Sequence, residues 1–310
     1  MALNYAEVWS PDLLEIMEQE SLTSPFVTTA VKWLSAKTFH FTQMSTSGYK
    51  SHSRLGGWNK GTVEQTDVPF TLTHDRDIQF MIDKIDVDET NETASIKKIS
   101  EVFHKTQQIP EMDAYFYSKV ATEAQKLEGY HSSTALSSYT KENVYGKLKA
   151  MLSAGKLRRY VAKGALIAYV NSTIMDLLEQ STDFTRKIEM TQIAEGGIGI
   201  ETRITDIDGV TLIEVIDDER FYDKFDFTDG FAPVASTSHK INVLIASPLT
   251  VKTVPKIASI YYFNPGQHTE GDGYLYQDRS LSDTFVFPNG KDNKIDSIYV
   301  DVDTETYTAE

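Results

Sequence analysis

The chain has 310 residues, 40% of them apolar, and a net charge of −15, which admits one large domain or two ordinary ones around a substantial core. It contains no cysteine, so disulfides and thiolate metal sites are excluded. The acidic balance opposes tight gripping of a genome, because each phosphate contact needs a Lys or Arg. No apolar run approaches the roughly 20 residues of a membrane-spanning helix.

The N-terminus carries Glu7, Asp12 and Glu15 where a signal peptide would be basic and then apolar; with the composition, this predicts a soluble protein made inside the cell. Ser10-Pro11-Asp12 reads as a helix start, with a hydroxyl cap, proline at the first helical position and an acid in the first turn. That helix is expected to stop near Ser21, before a Ser/Thr/Pro stretch to Pro25. From Thr38 the period changes to two. Thr38 to Thr42 alternates, as do Phe70 to Thr73 and Phe80 to Ile82. Between them lies a polar tip rich in Gly and Ser, from Ser45 to Gly61, with Arg54, Trp58 and Lys60 interspersed. A long hairpin with too little apolar content for a core of its own is expected to lie on another surface.

The longest helical pattern comes next. Thr93 is the expected cap, and Ile96, Ile99, Phe103, Ile109, Met112, Phe116, Val120 and Ala124 fall three or four apart around the gap at Thr106. Pro110 sits inside it, so the pattern predicts one long bent element or two nearly collinear helices. A Ser-rich link, His131 to Tyr139, leads into an α/β region. There Thr140 to Leu152 is expected as a helix and Ala165 to Val170 as a buried strand. Ser172 should cap a further helix. Ile200 to Ile207 and Val210 to Ile216 flank Asp208-Gly209, a two-residue hairpin signal. Ile241 to Ala246 reads as a buried strand and Pro248 as the start of a short helix ending near Pro255. Two late strands, Tyr274 to Phe287 and Ile295 to Val302, need partners, and the strand Phe80 to Asp86 is available.

Few groups point to chemistry. The seven histidines are scattered with no metal-ligand spacing, and there is no nucleophile elbow. Glu195 to Gly199 resembles a phosphate loop only superficially. Acids crowd Asp217, Asp218, Glu219, Asp223, Asp226 and Asp229, and also Asp83, Asp86, Asp88 and Glu89. Neither group has the spacing of a calcium loop, and negative charge before a long helix already explains the second.

Three segments, taken in order, carry a resemblance. They are Phe70-Thr71-Leu72 through His74-Asp75-Arg76-Asp77 to Asp86-Val87-Asp88-Glu89; Ile109-Pro110-Glu111-Met112-Asp113-Ala114-Tyr115; and Thr140-Lys141-Glu142-Asn143 leading to Ala168-Tyr169-Val170-Asn171. Together they resemble the major capsid proteins of tailed phages and of prophages in Gram-positive bacteria. The resemblance implies an α+β, HK97-like fold. Its parts would be an N-terminal arm (1–37), an extended hairpin or E-loop (38–77), a peripheral domain with a long spine helix (78–130 and 260–310) and an inserted axial domain (131–259). It implies a non-enzymatic shell subunit with no cofactor, forming hexamers and pentamers in a virion capsid assembled in the host cytoplasm. A separate scaffolding protein is implied because the chain begins almost at the arm, along with a portal protein and enclosed DNA, and no membrane. It places Arg54, Trp58 and Lys60 of one hairpin near Asp86, Asp88 and Glu89 of the next subunit. Lys50, Lys60, Asn289 and Asn293 are conceivable crosslink partners. An encapsulin-type compartment shares the fold and is the alternative shell; a carboxylate-dependent hydrolase is the alternative from another class.

Overall fold

The computed structural model describes residues 21–29, 33, 35, 37–52, 54, 56–85, 96–181, 188–191, 202–289 and 294–308. The expected helix after Ser10, the Thr93 cap, the acids Asp86, Asp88 and Glu89, the Glu195 to Gly199 loop and Asn293 lie outside the described residues.

Strands β1 (Thr38–Thr46) and β2 (Val63–Thr71) form an antiparallel two-stranded hairpin, registered from Thr38 opposite Thr71 to Thr46 opposite Val63. Pro69 is tolerated in β2 because a two-stranded ribbon has a free edge. Beyond Leu72 and Thr73 the chain enters β3 (His74–Asp83).

The expected long helix is one continuous run in three pieces. Helix α1 (Ile96–Phe103) passes through a π-turn (His104–Gln108) into α2 (Ile109–Gln125). Gln108 and Ile109 both keep right-handed helical angles, and the Ile109 N–H reaches the His104 carbonyl. The wide turn sits just before Pro110, which has no N–H to donate and needs room for its ring. Phe116, Val120 and Ala124 are buried as expected, with Ala114, Tyr117 and Ala121 beside them. Met112, expected inside, is instead exposed, and its neighbour Asp113 is fully buried.

The larger sheet is seven-stranded, in the order β4-β14-β11-β5-β8-β7-β6. The supposed link after the spine contains β4 (His131–Ser133). Helix α3 (Val144–Leu152) starts later than expected, because Thr140 to Asn143 forms a turn closed by the Thr140 N–H on Asn143 Oδ1 at 2.9 Å. After the short helix α4 (Arg158–Val161) comes β5 (Ile167–Asn171) and then α5 (Ser172–Gln180). The cap of α5 is Asn171, whose side chain accepts from the Thr173 N–H. Ser172 instead donates to Glu214. Strands β6 (Ile188–Thr191), β7 (Thr202–Ile207) and β8 (Val210–Val215) come next. Asp208 and Gly209 take φ of 53° and 81° between β7 and β8, the two left-handed positions that an Asp-Gly turn supplies. A two-strand ribbon, β9 (Phe225–Asp226) with β10 (Ala232–Pro233), precedes β11 (His239–Ala246).

The expected helix from Pro248 does not form. Residues 248–250 make a turn, and β12 (Val251–Phe263) runs straight through Pro255, with a register shift between Pro255 and Ile257. β-branched and aromatic residues dominate this stretch, and as an edge strand it tolerates the missing N–H. Strand β13 (Gly273–Val286) lies between β12 and β3, so the first late strand does find the early one. The second does not. β14 (Ile298–Thr306) pairs with β11 and β4 inside the larger sheet.

Alternation along the large sheet divides its core. Tyr169, Ile213, Leu244 and Val300 pack on the α2 side. Ala168, Leu212, Val243 and Tyr299 pack on the side of α3 and α5. Leu22 and Phe26 enter the first of these cores, so residues 22–26 are anchored by burial against the spine side of the sheet.

Candidate assembly surface

The hairpin is bare at its tip and fixed at its base. At the tip, Tyr49 is fully exposed and Trp58 is 96% exposed. Local hydrogen bonds hold the loop: Asn59 Nδ2 donates to the Ser51 carbonyl at 2.8 Å, Lys50 Nζ to the Lys60 carbonyl at 3.1 Å, and the Ser47 N–H to the Thr62 carbonyl at 2.9 Å. Nothing apolar among the described residues covers the indole.

The base is built from aromatics and buried acids. Phe39 and Phe70 meet Phe285 and Phe287 edge-on at 5.1–6.4 Å. Leu72, Val254 and Leu281 close this small core. At the joint between β2 and β3, Asp283 is 1% exposed and accepts the Thr73 N–H at 2.9 Å, Thr73 Oγ1 at 2.8 Å and Tyr115 Oη at 2.8 Å. Burial and the Asp283 charge push the Tyr115 hydroxyl well above its usual range. On the other side, Asp75 links Lys37 before the hairpin to Arg279 on β13, each at 3.0 Å. Hydrogen bonds from Arg279 and then Lys37 lower its pKa to about 2.

Two further junctions tie the lobes together. Arg76 of β3 pairs with Glu111 of α2 at 2.6 Å and donates to the carbonyls of Phe227 and Gly230 in the β9–β10 loop. Burial alone would raise Glu111; His74 and Arg76 outweigh it and hold it below the usual carboxylate value. Asp113 accepts from Ser21 Oγ at 3.0 Å, the Leu22 N–H at 3.2 Å and Thr23 Oγ1 at 2.7 Å, and pairs with the buried Arg220 at 3.2 Å. Burial pushes its pKa up, against the pull of Arg220 and of those donors.

Of the assembly residues expected from the sequence, Arg54, Trp58 and Lys60 share the exposed tip. Within one chain they do not meet Asp83, whose carboxylate accepts the Ile85 N–H. Asp86, Asp88 and Glu89 lie outside the described residues. Asn289 donates to Tyr160 Oη at 3.3 Å. The acids considered for hydrolysis are structural acceptors: Asp217 pairs with Arg220, Asp218 with Lys240, Asp223 accepts Gln125 and the His239 N–H, and Asp226 accepts Thr228. Among the described residues no group of three or more His, Asp or Glu could hold a metal ion, and no helix is long and apolar enough to cross a membrane. Sequence reasoning missed Asp75, Asp113 and Asp283. Acids in a strand or helix read as solvent-facing, and only the fold shows their partners.

No protein-family model matches the chain, and no curated protein matches it. Solved structures do. One from Mycobacterium phage Che8 has a TM-score of 0.58 at 13% identity, covering 97% of this chain and 98% of that one. The mature capsid of bacteriophage PhiM1 gives 0.64 at 12% identity, covering 97% and 93%. The capsid of cyanophage P-SCSP1u gives 0.61 at 10%, covering 98% and 94%. The chain therefore has the HK97-like fold of phage capsid structures over nearly its whole length.

Proposed function

We propose that this chain is a tailed-phage major capsid protein, many copies of which tile an icosahedral shell around double-stranded DNA. The observation that carries the reading is end-to-end fold similarity to capsid structures at nearly full coverage of both chains. The bare hairpin tip supports it, since an exposed Trp on a fixed lever suits a contact made only in an assembly. In this reading the role is structural and not catalytic. The copies form hexamers and pentamers in the virion, assembled in the host cytoplasm with a separate scaffolding protein and a portal. The arm is 1–37 and the E-loop 38–77. The peripheral part takes 78–130 and the sheet strands β12 and β13, and the axial part takes 131–250 with β14 added by its pairing. The tip residues Arg54, Trp58 and Lys60 contact Asp86, Asp88 and Glu89 of a neighbour.

Electron microscopy of particles purified from producing cells tests this. Closed shells large enough for a phage genome are expected. Small protein-filled shells would point to an encapsulin-type compartment, and the absence of any shell would contradict the proposal.

A further inference from the structure

Residues 141–163 hold seven of the 30 Lys and Arg and one of the 45 Asp and Glu. The remainder carries 23 against 44, so an acidic molecule has one strongly basic segment. The fold explains why its charges face outward. Val144, Leu148, Met151 and Leu152 bury one side of α3. Leu157 and Tyr160 anchor the next turn, with Tyr160 Oη donating to Asp296 at 2.6 Å. Gly155, at φ 51°, passes so close to the Tyr130 ring that a Cβ would lie 2.5 Å from it. These anchors leave Lys156, Arg158, Arg159 and Lys163 exposed. Lys149 pairs with Asp208 at 3.3 Å and Arg159 approaches Asp296 at 3.7 Å. Arg158 reaches only Ser153 Oγ, at 2.8 Å, and Lys156 and Lys163 have no carboxylate partner among the described residues.

The opposite charge lies on the opposite face. The basic segment packs on the α3–α5 side of the large sheet. The stretch 217–229 packs on the α2 side, through Phe221 in that core and Gln125 on Asp223. It carries six acids against Arg220 and Lys224. Asp217, Asp218 and Asp223 are occupied within the chain, but Glu219, Asp226 and Asp229 are exposed. The Thr228 hydroxyl and N–H hold Asp226 below the usual carboxylate value. Two unlike patches on opposite faces suit a head-to-tail contact, the kind that closes a ring of identical subunits.

We propose that the basic segment 141–163 of one copy docks on the acidic stretch 217–229 of the next copy in a ring. This rests on the shell reading and adds to it the contact within the capsomer. A second copy is favoured over nucleic acid because every copy presents the complementary patch, whereas the remaining surface repels phosphate.

The test is a charge swap. One variant carries Lys156→Glu, Arg158→Glu and Lys163→Glu; a second carries Glu219→Lys, Asp226→Lys and Asp229→Lys; a third carries all six. All six side chains are exposed, so melting of the unassembled subunits should hardly change; if the first variant melts early, Lys156→Gln, Arg158→Gln and Lys163→Gln replace it. Sedimentation over a concentration series at low and high sodium chloride gives the assembly threshold. Each triple variant should raise that threshold about tenfold or more at low salt, and the sixfold variant should return it toward wild type. A sixfold variant as defective as the triples overturns the proposal. So does a basic-segment variant that assembles like wild type, including one that loses only its binding to DNA fragments. Wild-type shells with indifferent variants would remove this contact alone, whereas a wild type that never forms rings or shells removes the shell reading with it.

Discussion

Asp113 is fully buried, and its carboxylate joins three parts of the chain: the Ser21–Thr23 segment, α2 and Arg220. Removing the carboxylate leaves Arg220 with Asp217 alone and strips the Leu22 N–H and the Ser21 and Thr23 hydroxyls of their acceptor, at a cost of about 1–3 kcal/mol. Asp113→Ala should therefore destabilise the unassembled subunit by that amount in urea unfolding, and a loss below about 1 kcal/mol would show that the pair is dispensable. Asp75 behaves differently because it sits near the surface between Lys37 and Arg279. Its pKa is lowered from 3.8 to about 2 in the fold. The stabilisation is therefore present above pH 4 and lost as pH falls through about 2. Solvent screening keeps it to about 1 kcal/mol or less. Asp75→Asn should flatten the acid limb of the stability–pH curve between pH 4 and 2, with little change at pH 7 beyond that small loss; an unaltered limb would mean the two cations do not act on this carboxylate. None of these roles was legible in the sequence, because the partners lie far away along the chain.

At the scale of elements, periodicity carried much of the reading. The hairpin strands, the Asp-Gly turn and the buried strand β11 all derive from alternation and turn chemistry. The spine was legible as a run and in phase at Phe116, Val120 and Ala124, but not at Met112, because a π-turn leaves no signature in a 3.6-residue pattern and the residues next to it pack differently. Pro248 misled for a related reason: a proline that can open a helix can equally precede an edge strand, and only pairing with β13 decides between them. The position of β14 depended on long-range pairing as well. The hairpin tip belongs to this scale. Since Trp58 is 96% exposed, Trp58→Ala should change subunit stability by no more than about 0.5 kcal/mol. In the proposed shell, burial of the indole against a neighbour would contribute roughly 1.5–3 kcal/mol, so the same substitution should raise the assembly threshold by about tenfold or more. Deleting 51–61 should leave folded monomers or small capsomers. Normal shells from either variant would assign the tip to the solvent.

For the whole molecule, the shell reading raises the question of how one acidic subunit would be held to many copies of itself. A net charge of −15 makes like subunits repel at long range, and local charge pairing must overcome this where they touch. Reversing Arg54 and Lys60 to Glu should raise the assembly threshold most at low salt, because screening weakens exposed pairs; a threshold unchanged at every salt concentration would leave these charges as a solvated loop. The capsid fold was legible as an ordered set of short matches, while the opposite placement of the two charged patches proposed to join the copies emerged only from the sheet. The most direct measurement is an electron cryo-microscopy reconstruction of assembled particles at side-chain resolution. It should show closed icosahedral shells in which each hairpin crosses onto the adjacent subunit with Trp58 buried at the contact. Particles without a closed shell, or shells in which the hairpin touches only its own subunit and Trp58 stays in solvent, would contradict the account.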